Sequence, residues 1–314
     1  MQIQLKEKTS IVSKSRFRDS KGFFLGVCII PTFILYAIFM LYPIINLIRV
    51  SFYSWDGLLG DMEWVGLGNY KTMFQNQLFW DGFKNTCILI VVPTLFTIIL
   101  ALFFAAVLAK NNMKGKSFFR VVFYFPNILS VVVISGIFNG IYSPDKGILN
   151  SILDMFSLSG WKHNWLADSN VVLYALAAAM IWQAVGYYMV MYVAGMDSIP
   201  DSLYEVADLE SATGFQKFWY ITMPMTWEVI RVTLTFFIIS NINLSFLFVK
   251  AMTQGGPDGA SEVLLNIMYQ QAYSAGNYGY GMAVGSFLFI FSFGLSLIVQ
   301  RLTNKEETIG GESK

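Results

Sequence analysis

The sequence predicts an all-α membrane protein with six transmembrane helices, and three observations carry that reading. Of the 314 residues, 55% are hydrophobic and 17% aromatic. Only 13% are charged, against about 25% in an ordinary soluble domain. Six apolar runs also reach the roughly 20 residues that a helix needs to cross a bilayer, where every backbone polar group must be satisfied internally. They are 23–48, 87–109, 121–142, 171–196, 229–249 and 280–299.

The first run follows a basic leader, residues 1–22. It is much longer than the apolar core of a secretory signal, and no small-residue cleavage site follows, so it reads as a retained span. Pro31, Pro43, Pro93 and Pro126 fall within runs, where a packed bundle tolerates kinks because neighbours re-satisfy freed carbonyls. Cationic residues set the orientation. Lys6, Lys8, Lys14, Arg16, Arg18 and Lys21 precede the first run, and Lys110, Lys114, Lys116 and Arg120 follow the second. Both groups are expected in the cytoplasm. Segments 49–86, 143–170 and 250–279 then lie outside, while 197–225 and the tail 302–314 lie inside, so both termini are cytoplasmic. The outer stretch "GILNSILDMF" gathers Ile148, Leu149, Ile152, Leu153 and Phe156 on one helical face. That pattern suits a helix flat on the membrane or packed against an external protein.

Several chemistries are excluded. Cys28 and Cys87 sit in or beside apolar runs and read as small buried hydrophobes. His163 is the only histidine and reads as surface, so no metal site and no catalytic base are expected. No phosphate-binding Gly-rich loop with Lys-Ser/Thr is present. The net charge of +1 implies no nucleic-acid partner. The span centres hold no charge; Glu228 and Arg231 stand at the inner mouth of the fifth. This counts against an ion-coupled secondary transporter of a small polar solute, whose relays are usually ionisable. Backbone-held sodium keeps that alternative open.

Uncharged polar groups do occur in the spans. Gln183 and Tyr187 share one face of the fourth, and Phe237, Asn241 and Ser245 one stripe of the fifth. An aromatic plate with amides and hydroxyls suits a neutral, polyhydroxylated solute and makes these five the candidate substrate path. The bland alternative is hydrogen bonding between helices.

The inner segment "DSLYEVADLESATGFQKFWYITMPMT" is the polar exception. Between residues 197 and 217 it carries five acids, Asp197, Asp201, Glu205, Asp208 and Glu210, against Lys217. Asp201 or Ser202 reads as the cap of a short helix running to about Ala212. Gly214 then breaks the chain, and a second helical piece puts Phe215, Phe218 and Trp219 on one face. Pro224 precedes the fifth span, where its missing amide does little harm. The unit reads either as an acidic plug with aromatic knobs for a basic-rimmed groove on a soluble partner or as an amphipathic surface loop.

This segment resembles the EAA loop of ABC importer permeases. Glu205, Ala207, Ile221 and Pro224 stand at the matching spacings, with Val206 and Met223 as mild substitutions and Ser211 where the pattern has glycine. Either Ser211 or Gly214 therefore makes the turn. "WVGLGNYKTMFQNQLFWDGFKNT", "IWQAVGYYMVMYVAGMDSIPDSLYE" and "TQGGPDG" are similar to the maltose-type, carbohydrate-uptake branch, so the resemblance covers nearly the whole chain. It implies a type I importer permease fold over 23–301 with a cytoplasmic coupling helix. It also implies a second homologous permease, two ATPase subunits that bind the ATP and Mg, and an extracytoplasmic solute-binding protein delivering a carbohydrate. Glu205, Ala207, Asp208, Ser211, Gly214, Phe218 and Pro224 become candidate ATPase-coupling residues. The chain itself is implied to bind no cofactor and to catalyse no covalent step.

Overall fold

A computed structural model describes residues 16–57, 60–109 and 115–303. Lys6, Lys8, Lys14, Lys110, Lys114 and the tail from 304 on lie outside the described residues. The first span combines α1 (Arg16–Tyr36), a π-helical turn at Ala37–Leu41 and α2 (Tyr42–Val50). Pro43 follows that turn directly, and the wider turn absorbs the carbonyl that a proline cannot serve. No residue in the most apolar stretch of this span is buried against the rest of the chain.

A two-residue ribbon, β1 (Tyr53–Ser54) with β2 (Glu63–Trp64), and α3 (Gly68–Gln75) lead to α4 (Gln77–Ala109), the second span. The third apolar run departs from expectation. It forms α5 (Lys116–Ile128) and α6 (Val131–Ile141), which meet at 100°. Leu129 leaves the helix in an extended conformation, and Ser130 caps α6 by accepting from the Val133 amide. Pro126 sits just ahead of the break. Hydropathy over 121–142 is continuous across the bend because apolar content carries no direction. Among the described residues, the helices long and apolar enough to cross a membrane thus number five, or six with the bent pair taken as one span.

Beyond α7 (Ile148–Met155), α8 (Val172–Asp197) forms the centre, packed on α4, α5 and the fifth-span helix. Two-thirds of its most apolar stretch is buried. Gly186 permits the closest approach: a Cβ there would lie 1.7 Å from the Phe123 carbonyl oxygen of α5. After α9 (Asp201–Leu209), the helix α10 (Gly214–Lys217) passes through a π turn (Phe218–Thr222) into α11 (Met223–Met252). The whole of Gly214–Met252 is one 39-residue span, longer at its start than the apolar run indicates. The loop after it is held to α4 by Asn85, whose side chain donates to the Ala260 and Glu262 carbonyls at 3.0 Å each. Then α12 (Leu264–Tyr269) and α13 (Tyr278–Thr303) close the bundle.

Candidate functional site

The α9 segment is a hairpin with its own bracing. The first helix ends at Leu209, three residues before the expected Ala212, in a left-handed turn at Ser211 with φ of +56°. The Ala212 amide donates to the Ala207 carbonyl at 2.9 Å and the Ser211 amide to the Asp208 carbonyl at 3.0 Å, the paired bonds of a Schellman ending. Ser211 therefore makes the turn, and Gly214 only opens α10 in helical conformation. Neither Asp201 nor Ser202 caps α9: Pro200 holds the cap position without a side-chain bond. The capping box belongs to the next helix, where Thr213 and Gln216 satisfy each other's amides.

Two contacts tie α9 to the bundle, and a third braces the helix before it. Lys217 pairs with Asp208. The Tyr204 and Thr222 hydroxyls meet at 2.9 Å, Thr222 lying in the π turn at the root of α11. At the foot of α8, Asp197 accepts from Arg120 at 2.9 Å and from Lys116 at 3.5 Å, fixing the start of α5. These elements enclose a cleft of about 600 Å³ beneath α9, with Asp201, Tyr204, Lys217 and Phe218 in its wall. Phe218 is turned into the bundle beside Met223 and Trp227, so the expected aromatic face divides. Phe215 and Trp219 stay exposed, as do Glu205, Val206, Leu209 and Pro224, while Ala207 is half-buried. What α9 offers outward is thus three carboxylates, Asp201, Glu205 and Asp208, interspersed with Leu203, Val206 and Leu209.

Farther along α8 and α11 lies a second cleft of about 560 Å³. Gln183, Tyr187 and Phe237 line it, joined by Asn127, Tyr188, Thr233, Phe236, Ser240 and Asn243. The Tyr188 and Phe237 rings pack 4.5 Å apart at its base. No lining residue is charged. Asn241 and Ser245 correct the expectation. Both are buried on the opposite side of α11, where Asn241 donates to the Thr94 hydroxyl of α4 at 2.9 Å. Ser245 donates to the Ile242 carbonyl, one turn back on its own helix. A stripe at i, i+4, i+8 drifts around a helix, so from the edge position of Phe237 it runs away from the cleft. Sequence reasoning missed Asn243, two residues on in "SNIN", and Tyr204, beside Glu205. The polar side chain of Asn243 was the available signal.

A family model for the binding-protein-dependent transport system inner membrane component matches residues 97–305. The chain belongs to this family. A probable ABC transporter permease of Pyrococcus horikoshii is 32% identical, covering 84% of this chain and 90% of its own. The diacetylchitobiose uptake permease NgcF of Streptomyces coelicolor is 28% identical over 94% of this chain and 86% of its own. Among solved structures, a bacterial ABC transporter that imports the acidic polysaccharide alginate superposes with a TM-score of 0.81, covering 94% of this chain and all of that one at 22% identity. That likeness shows the fold, a type I importer permease. Membership makes the chain a membrane-embedded transport subunit working with a binding protein, and the ion-coupled carrier falls away.

Proposed function

We propose that this permease is one of two homologous transmembrane subunits of an ATP-driven importer for a neutral carbohydrate. One observation carries the reading: the helix Gly214–Met252 starts at the turn that holds α9 and continues, unbroken, into the wall of the uncharged cleft. Displacement of α9 is thereby linked to the cleft through one rigid element. Two ATPase subunits bind ATP and Mg, and α9 seats in a groove on one of them with Glu205 toward its basic rim. Both termini face the cytoplasm, and the binding protein docks at the opposite end. The exposed first span offers an apolar surface for the second permease. The relative that takes up diacetylchitobiose supports a sugar as cargo. So do packed aromatics beside amides and hydroxyls, whose weak, releasable hydrogen bonds contribute about 0.5 to 1.5 kcal/mol each.

The assembled complex in proteoliposomes tests this. Uptake of a labelled neutral oligosaccharide is expected to need the binding protein outside and ATP inside, and to survive a protonophore. Uptake that proceeds without ATP would overturn it. Glu205→Lys is expected to leave the ATPases bound and uptake lost.

A further inference from the structure

The outer helix α7 is built inside out. Its buried residue is a polar one, Asn150. That side chain donates to the Pro144 carbonyl at 3.2 Å and the His163 carbonyl at 3.1 Å, and accepts from the Trp165 indole at 2.9 Å. Leu149 and Trp165 pack on the core beside Phe138 and Tyr142, which docks α7 on the end of α6. On the side away from the bundle an apolar strip stands exposed, Ile148, Ile152 and Met155, the last to 74%, with Ser151 and Asp154 exposed beside it. Phe156, Leu158 and Trp161 extend the exposed patch past the helix end. A helix that satisfies its one asparagine internally and turns a strip of isoleucine and methionine outward needs an apolar medium along that strip.

We infer that the face Ile148, Ile152, Met155 with Phe156 and Trp161 is embedded in the outer leaflet of the bilayer, at the boundary between headgroups and acyl chains. Three features select lipid over a protein partner. The segment is tethered at both ends to membrane-crossing helices, since α6 ends at Ile141 and α8 begins at Val172. The helix that α7 docks on, α6, is itself apolar on its exposed side, which carries Val132, Val133 and Ile137. Its charges are confined to the margin, where Lys162 pairs with Asp154 and Trp161 stands beside them, the arrangement of an aromatic and cationic membrane-interface belt. Embedded there, α7 braces the outer end of the bent α5–α6 span, whose 100° break leaves it without a straight path through the bilayer. The inference does not depend on the solute carried.

The test uses the reconstituted full importer in phosphatidylcholine and phosphatidylglycerol vesicles, with Cys28 and Cys87 replaced. A nitroxide is placed by Ile152→Cys or Met155→Cys, and an aqueous reference label by Asn164→Cys. Both α7 labels are expected to collide freely with oxygen and poorly with a water-soluble nickel chelate, with an oxygen-to-nickel ratio severalfold above the reference. Labels equally open to nickel as the reference would overturn the inference. So would labels that lose access to both only when the binding protein is added, which would make the patch a protein-docking surface.

Discussion

The Tyr204 hydroxyl of α9 sits 2.9 Å from the Thr222 hydroxyl, which is buried in the π turn where the fifth span begins. Thr226, one turn on, donates to the Thr222 carbonyl at 2.7 Å, so the contact joins the α9 hairpin to the first regular turn of the long helix. A π turn is a local excess of backbone, and such turns occur often at functional positions. With α9 as the element the ATPases move, this bond is the shortest side-chain route from it into α11.

Tyr204→Phe keeps the ring and removes that bond, worth about 0.5 to 1.5 kcal/mol. ATPase subunits should still co-purify in normal ratio, while sugar transported per ATP hydrolysed falls about twofold to tenfold. Paired uptake and phosphate-release assays measure this. An unchanged ratio would show that the force passes through Lys217 and Asp208 instead.

Ser211 holds a left-handed conformation that glycine adopts more easily, by about 1 kcal/mol. Ser211→Gly should therefore stabilise the hairpin and strengthen ATPase capture in a pull-down. Ser211→Val should weaken capture, since a β-branched residue fits φ of +56° badly. Gly214→Val should do little, because a Cβ at Gly214 meets nothing within 4 Å. Equal losses from the two valine variants would contradict this.

The sequence made most of the architecture legible because apolar run length is a local quantity with a hard physical threshold. It did not reveal the bend at Leu129, since the runs on either side are equally apolar. In the α9 hairpin, spacing set out the helix and the two candidates for its turn, but which residue turns left-handed depended on hydrogen bonds back to Ala207 and Asp208. In the cleft, helical spacing set which residues share a face and left open which way that face points. The direction came from Thr94, which is 147 residues from its partner Asn241 and carries no mark of the pairing in sequence.

Glu262 supplies a pH prediction. It is 5% exposed in the loop after α11, and burial raises its carboxyl's pKa against the lowering effect of the Asn266 amide and the Val263 N–H. The fold thus favours the protonated acid. Its stabilising contribution is complete below about 4.5, the ordinary value, and is lost as pH rises through the raised folded value. Glu262→Gln mimics the protonated form and should raise the melting temperature near neutral pH, with the gain vanishing below about 4.5. Scanning fluorimetry of the detergent-solubilised complex across that range checks it. A gain independent of pH would mean that the carboxylate is not the source.

Asn241 and Asn243 stand two residues apart and should separate stability from transport. Asn241 is fully buried, and its amide bonds α11 to Thr94 of α4. Asn243 is exposed in the wall of the cleft. Asn241→Leu removes one interhelical hydrogen bond, about 0.6 to 2 kcal/mol, so it should lower thermal stability and complex yield. Surviving complexes should keep the wild-type apparent affinity for sugar. Asn243→Leu leaves the helix contacts in place and removes an amide from the cleft. It should leave melting and assembly unchanged and weaken half-saturation of uptake about twofold to tenfold, the effect of one neutral hydrogen bond. Uptake kinetics and melting curves on the same preparations decide the matter. If Asn241→Leu shifts half-saturation more than Asn243→Leu at equal yield, the sugar path runs on the α4 side of α11, and the uncharged cleft is not its route.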